Sequence, residues 1–135
     1  KNEIYKKLLG NMSPNDLSVE VKETLYELRR RGLKLAIGSS SKNAKFILKQ
    51  IGLDNYFDAI SDGNNINRSK PDPEVFVKAS QFLDVEPKDC LVVEDAEAGL
   101  EAAFAAGMDC AAIGDAVKCN RATYNLANFS DLLKI

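Results

Sequence analysis

The chain has 135 residues, enough for one domain with a sizeable core and too few for two. Its 18 Lys and Arg face 20 Asp and Glu, a net charge of −2, so there is no basic excess of the kind that binds nucleic acid. Histidine is absent, which excludes a Ser-His-Asp triad, a Cys-His pair and any imidazole metal site.

In chain order, the first ten residues place Ile4, Leu8 and Leu9 at helical spacing and stand apart from the remainder of the chain. Ser13, Pro14 and Asp16 form a helix start: a cap, a first-turn proline and a first-turn negative charge. Leu17, Val21, Leu25 and Leu28 continue it, Arg29, Arg30 and Arg31 suit its last turn as solvated cations, and Gly32 stops it. Residues 33–38 are a short strand, 39–43 a polar turn, and Ala44, Ile47, Leu48 and Ile51 the next helix. A second short strand at 58–61 leads into a loop rich in Asn and Gly. Asp72 and Pro73 are then expected as cap and first residue of a helix that buries Val75, Phe76, Ala79, Phe82 and Leu83. The apolar run 90–93 suits a strand buried on both faces. An alanine-rich helix at 96–106, a strand at 110–113, a weaker strand at 124–126 and a last short helix capped by Ser130 complete the chain. Strand and helix alternate about four times, which predicts an α/β domain with a parallel sheet and right-handed crossovers.

No apolar stretch is long enough to span a bilayer, and the first nine residues are too polar for a signal peptide. Cys90, Cys110 and Cys119 are odd in number and lack C-x-x-C spacing. The expectation is a cytoplasmic protein without disulfides, with Cys90 and Cys110 in the core.

Ligands of an open parallel sheet bind beyond the carboxyl ends of its strands. Three polar clusters fall there. Ser39, Ser40, Ser41, Lys42 and Asn43 would converge hydroxyls and backbone N–H groups on an anion, although simple capping accounts for one serine. Lys70 lies in Lys-Pro-Asp-Pro, where Pro71 restricts its backbone. Glu94 and Asp95 close the buried strand and suit Mg²⁺, which takes oxygen ligands. Neighbouring strand side chains face opposite ways, so both reach one ion only if the chain has turned at Asp95. No G-x-G-x-x-G follows any strand, which argues against a dinucleotide site.

The order hydroxyl, lysine, paired carboxylates at successive strand ends resembles the haloacid dehalogenase superfamily of phosphoryl-transfer enzymes, over nearly the whole chain. Gly38-Ser39 is similar to its second motif, Ser69-Lys70-Pro71 to its third, and Val93-Glu94-Asp95-Ala96 with Ala98-Gly99 to its fourth. Tyr56-Phe57-Asp58 also stands where the superfamily commonly has it. The Ser39 to Asn43 loop and the passage leading to it are most like the β-phosphoglucomutase branch. Leu17-Ser18-Val19-Glu20 departs from the Pro-Gly pair usual there.

The resemblance implies Mg²⁺-dependent phosphoryl transfer on a sugar phosphate, β-glucose 1-phosphate to glucose 6-phosphate, with a sugar-phosphate phosphatase as the alternative. Ser39 and Lys70 would be catalytic. Lys1, Ser39, Ser40, Ser41, Lys42 and Asn43 would bind substrate, and Glu94 and Asp95 the metal. The superfamily's first motif, D-x-D on the central strand, occurs nowhere in the sequence. The expectation is therefore a Rossmann-like core over residues 16–135 with its central strand missing, preceded by a remnant of a helical cap domain at 1–15. Such a chain would be the C-terminal portion of a longer enzyme, inactive by itself, and open to self-association through exposed strand edges.

Overall fold

A computed structural model describes residues 7–10 (by their backbone), 19–50, 52–53 and 56–135. The strands are β1 (Lys7–Gly10), β2 (Lys34–Gly38), β3 (Ala59–Ser61), β4 (Cys90–Glu94), β5 (Asp109–Ile113) and β6 (Tyr124–Leu126). The helices are α1 (Val19–Arg30), α2 (Ala44–Gln50), α3 (Glu74–Leu83) and α4 (Glu97–Ala105). All six strands are parallel and form one sheet in the order β3-β2-β1-β4-β5-β6. The α/β class and the parallel sheet are those the sequence predicts.

The place expected to be open is filled. Lys7–Gly10, read from its leucine spacing as part of a helix, is the central strand, with Leu8 in register with Leu35 of β2 and Leu91 of β4. The physical reason is the demand of its neighbours. Two buried parallel strands present unpaired N–H and C=O groups, and pairing them outweighs a weak local helical pattern. The edges of β2 and β4 expected to drive self-association are thus both paired. The remainder of the expected cap remnant, Lys1 and Ile4 included, and the helix start at Ser13, Pro14 and Asp16 lie outside the described residues.

Strand alternation sends side chains to two cores. Ala36, Cys90, Val92, Cys110 and Ala112 pack with Val75, Phe76, Ala79 and Leu83 of α3 and Leu100, Ala102 and Ala103 of α4. Leu35, Leu91, Val93 and Ala111 face the other way, toward Val21, Leu25 and Leu28 of α1 and Leu132. β4 is buried along its whole length, as its continuous apolar run requires. Cys90 and Cys110 are fully buried core residues. Among the described residues no helix is long and apolar enough to cross a membrane.

Two capping expectations change. Pro73 takes the cap position of α3, and Asp72 supports it with Oδ1 accepting from Glu74 N–H at 3.0 Å. The last turn, Phe129–Lys134, is 3₁₀ and is capped by Asn128 in a capping box with Asp131. Ser130 instead donates its hydroxyl and N–H to Glu20 on α1. The arginines are less free than solvated cations. Arg29 donates to the Tyr56 carbonyl and to Asp58, and Arg31 to the Leu133 carbonyl and to Glu27. Arg30 pairs with Glu27 while staying largely exposed.

Candidate active site

The carboxyl ends of β2, β3 and β4 form one rim. Gly38 is in register with Ser61, and the ladder of β1 stops at Gly10, opposite Ile37 and Val93. It therefore ends one residue short of Gly38 and Glu94.

Glu94 follows the alternation of Cys90 and Val92, so its side chain enters the core beneath α4. It is 1% exposed. A charge so buried needs a partner, and Lys70 supplies it: Lys70 Nζ donates to Glu94 Oε2 at 2.6 Å, with the lysine side chain itself 11% exposed. Glu94 Oε1 accepts from the Asp95 N–H at 3.2 Å. Gly99 on the first turn of α4 makes this position possible. A methyl group on Gly99 would lie 2.0 Å from Glu94 Cδ and 2.4 Å from Oε1.

Lys70 is fixed from several directions. Its ammonium lies 4.9 Å from the centre of the Phe76 ring, in a cation–π arrangement. Its N–H points to Ser40 Oγ at 3.5 Å, and the Lys70–Pro71 peptide bond is cis. The loop leading to it is tied down by Glu74, whose Oε1 accepts from the N–H groups of Asn67 and Arg68 at 2.8 and 2.9 Å. Those two donors, Arg68 first, hold the Glu74 carboxyl below its ordinary pKa. Phe76 also connects Lys70 to the serine loop, because Gly38 packs so closely on the ring that a methyl group there would lie 2.7 Å from it.

Ser39 is buried and hydrogen-bonded on both sides. Its N–H donates to the Ser61 carbonyl at 2.9 Å, and its Oγ accepts from Ser41 N–H at 3.1 Å. Ser41 Oγ accepts in turn from Asn43 N–H at 3.0 Å. Two of the three hydroxyls thus shape the turn as local backbone partners, as the simple capping reading expects, while keeping their own protons to donate. Ser41, Lys42 and Asn43 are exposed.

The structure brings together Ser39, Ser40, Lys70 and Glu94. Asp95 adjoins them but is exposed, whereas Glu94 is buried. Among the described residues there is no group of three acidic or thiol side chains placed to hold a metal. Lys1 is outside the described residues. Sequence reasoning missed Phe76 and Glu74 as supports of Lys70, and it missed the buried Asp62. Their three-dimensional partners are distant in sequence, so no local pattern announces them. Gly99 was visible only as part of a motif.

The sequence and the fold both have known counterparts. A family model described as haloacid dehalogenase-like hydrolase matches residues 3–113. The chain is 39% identical over 114 residues to a β-phosphoglucomutase of Bacillus subtilis, covering 84% of this chain and 50% of that protein. It is 41% identical over 80 residues to a fructose-1-phosphate phosphatase of Escherichia coli, covering 59% of this chain and 43% of that one. The chain thus spans about half the length of the curated relatives it matches. A crystal structure of β-phosphoglucomutase from Clostridium difficile superposes with a TM-score of 0.80 at 29% identity, covering 90% of this chain and 54% of that one. A phosphatase of the same superfamily from Thermococcus onnurineus gives 0.81 at 29% identity, covering 90% and 59%. With its parallel sheet and its strand-end serine, lysine and acidic residues, this chain belongs to the haloacid dehalogenase-like hydrolase family.

Proposed function

We propose that this chain carries most of the phosphoryl-transfer site of a Mg²⁺-dependent sugar-phosphate mutase, converting β-glucose 1-phosphate to glucose 6-phosphate. The observation that carries the reading is the buried Lys70–Glu94 pair at 2.6 Å beside the Ser39 turn. Such a pair costs desolvation, yet here it holds a cation at the strand ends, where a transferring phosphoryl group needs charge neutralised. Ser39 donates its hydroxyl to that group and Lys70 offsets its charge. Ser40, Ser41, Lys42 and Asn43 grip the rest of the substrate, and Lys1 adds a further contact to it.

The donor chemistry fits Mg²⁺. Glu94 and Asp95 offer carboxylate oxygens, and this ion is commonly held by one or two carboxylates together with phosphate and water. Asp95, exposed at the strand end, would hold it directly, with Glu94 buried behind it and paired to Lys70, and the ion would supply neutralisation of phosphoryl charge. The nucleophile is an aspartate from a D-x-D strand, which this sequence does not contain. The chain by itself therefore turns nothing over. In this reading, residues 16–135 belong to the core of the protein, and Lys7–Gly10, within the stretch 1–15 expected as a helical cap, belongs to that core too as its central strand.

A sugar-phosphate phosphatase is the second reading, favoured by the likeness to the fructose-1-phosphate phosphatase. The deciding assay supplies β-glucose 1-phosphate and Mg²⁺ to a protein that joins this chain to a D-x-D-bearing N-terminal segment. Glucose 6-phosphate formation supports the mutase, and release of inorganic phosphate without isomerised sugar supports the phosphatase. Full activity of Lys70→Ala would overturn both.

A further inference from the structure

The loop of Ser39 to Asn43 is held from one side by a turn at residues 62–65, which the proposed chemistry leaves without a role. Gly63 N–H donates to the Ser41 carbonyl at 3.0 Å, and Asn64 Nδ2 donates to the Lys42 carbonyl at 3.1 Å. A methyl group on Gly63 would lie 2.5 Å from the Ser40 carbonyl oxygen, 2.9 Å from Lys42 Cγ and 3.0 Å from Lys42 N. The backbone of Lys42 and the root of its side chain therefore rest directly on Gly63.

The turn is itself braced. Asp62 Oδ1 accepts from Asn64 N–H at 2.9 Å, Asp62 N–H donates to Asn65 Oδ1 at 3.1 Å, and Asn65 N–H donates to the Asp62 carbonyl at 3.0 Å. Asp62 is fully buried, and its Oδ2 has no hydrogen-bond partner among the described residues. A buried acceptor left unpaired works against stability, so its retention calls for another reason. That reason is the shape of the turn, since its other oxygen and its N–H hold the residues that place Gly63 and Asn64 against the loop.

We propose that Asp62, Gly63 and Asn64 are positioning residues that aim Lys42 at a phosphate of the substrate. This rests on the sugar-phosphate reading above. Most surface lysines sample many rotamers, and a lysine ordered before binding loses less entropy when it takes an anion. Here backbone contacts from a neighbouring strand end do the ordering.

The test is titration of the 135-residue chain with glucose 6-phosphate, followed by calorimetry and by the amide signal of Lys42. Asn64 is exposed, so Asn64→Ala keeps the thermal melt of the parent chain. It is expected to weaken binding about five-fold, the worth of one hydrogen bond. Gly63→Ala is expected to weaken it by about ten-fold or more, because the loop backbone must shift. In a Lys42→Ala background, Asn64→Ala is expected to cost nothing further, since the two act as a unit. Unchanged affinity in Asn64→Ala, or losses that add in the double variant, would overturn the proposal. If the parent chain takes up no glucose 6-phosphate, the sugar-phosphate reading falls, and inorganic phosphate decides the positioning role. A phosphate-induced shift at Lys42 that Asn64→Ala abolishes upholds it, and no shift at Lys42 in the parent chain overturns it.

Discussion

Lys70 and Glu94 lie 24 residues apart in sequence and form an ion pair at 2.6 Å, the glutamate 1% exposed and the lysine side chain 11%. Removing one partner leaves the other charge buried, which costs about 3–5 kcal/mol. Lys70→Ala is therefore expected to lower the urea midpoint by that share of stability. Replacing both, as Lys70→Met with Glu94→Leu, is expected to recover most of it while removing the cation from the site. A Lys70→Ala chain as stable as the parent would mean the pair is not buried in solution.

Gly99 and Glu94 compete for one volume. With the Gly99 methyl position 2.0 Å from Glu94 Cδ, Gly99→Ala must displace either the first turn of α4 or the buried carboxylate. Overpacking of this kind typically costs about 1–3 kcal/mol. Thermal melts check it, and Gly99→Ala combined with Glu94→Ala is expected to lose less than the two changes summed. Simple additivity would count against the contact.

Acid weakens the fold through carboxylates whose pKa is lowered. Hydrogen bonds from Arg30 and then Arg31 bring Glu27 down to about 2. Asp131 is lowered chiefly by the Asn128 N–H, and Glu74 by the Arg68 and Asn67 N–H groups. A carboxyl with a depressed folded pKa contributes stability above its unfolded value and loses it as pH falls through its folded value. For Glu27 that window runs from its ordinary 4.5 down to about 2. Carboxyl-carbon NMR is expected to show Glu27 titrating near the bottom of this window. Glu74→Gln is expected to raise hydrogen exchange at Arg68 N–H at neutral pH, and unaltered exchange there would contradict the tie to the Lys70 loop.

The thiols should separate by burial. Burial, with the Glu94 charge adding to it, pushes the Cys110 thiol up to about 12. Cys90 is equally enclosed, whereas Cys119 is partly exposed. Reaction with a thiol reagent at about pH 8, near the ordinary thiol pKa, is expected to modify Cys119 in the native chain and all three cysteines only after denaturation. Rapid native labelling of Cys110 would contradict the packing of β5.

Much of the sheet is legible in the sequence because its strands are short apolar runs. β4 is the clearest, with Cys90, Leu91, Val92 and Val93 uninterrupted, and β6 falls where it is expected. β1 is not legible. Lys7, Leu8, Leu9 and Gly10 include no β-branched residue, and their strand state comes from the ladders on either side. Ser39, Lys70 and Glu94 announce themselves by position after strands. The contacts that hold them do not, because Phe76 under Lys70, Gly99 over Glu94 and Gly63 beneath Lys42 are relations between distant segments. Asp62 reads as an ordinary turn aspartate until its burial is seen.

The central claim is that the rim formed by Ser39, Lys70, Glu94 and Asp95 takes a phosphoryl group with Mg²⁺. It is tested most directly by mapping amide shifts of the isotopically labelled chain as β-glucose 1-phosphate and Mg²⁺ are added together. The expected result is shifts concentrated at residues 39–43, Lys70, Glu94 and Asp95, dependent on Mg²⁺ and suppressed in Lys70→Met. Shifts confined to other surfaces, or indifferent to both Mg²⁺ and Lys70→Met, would contradict it.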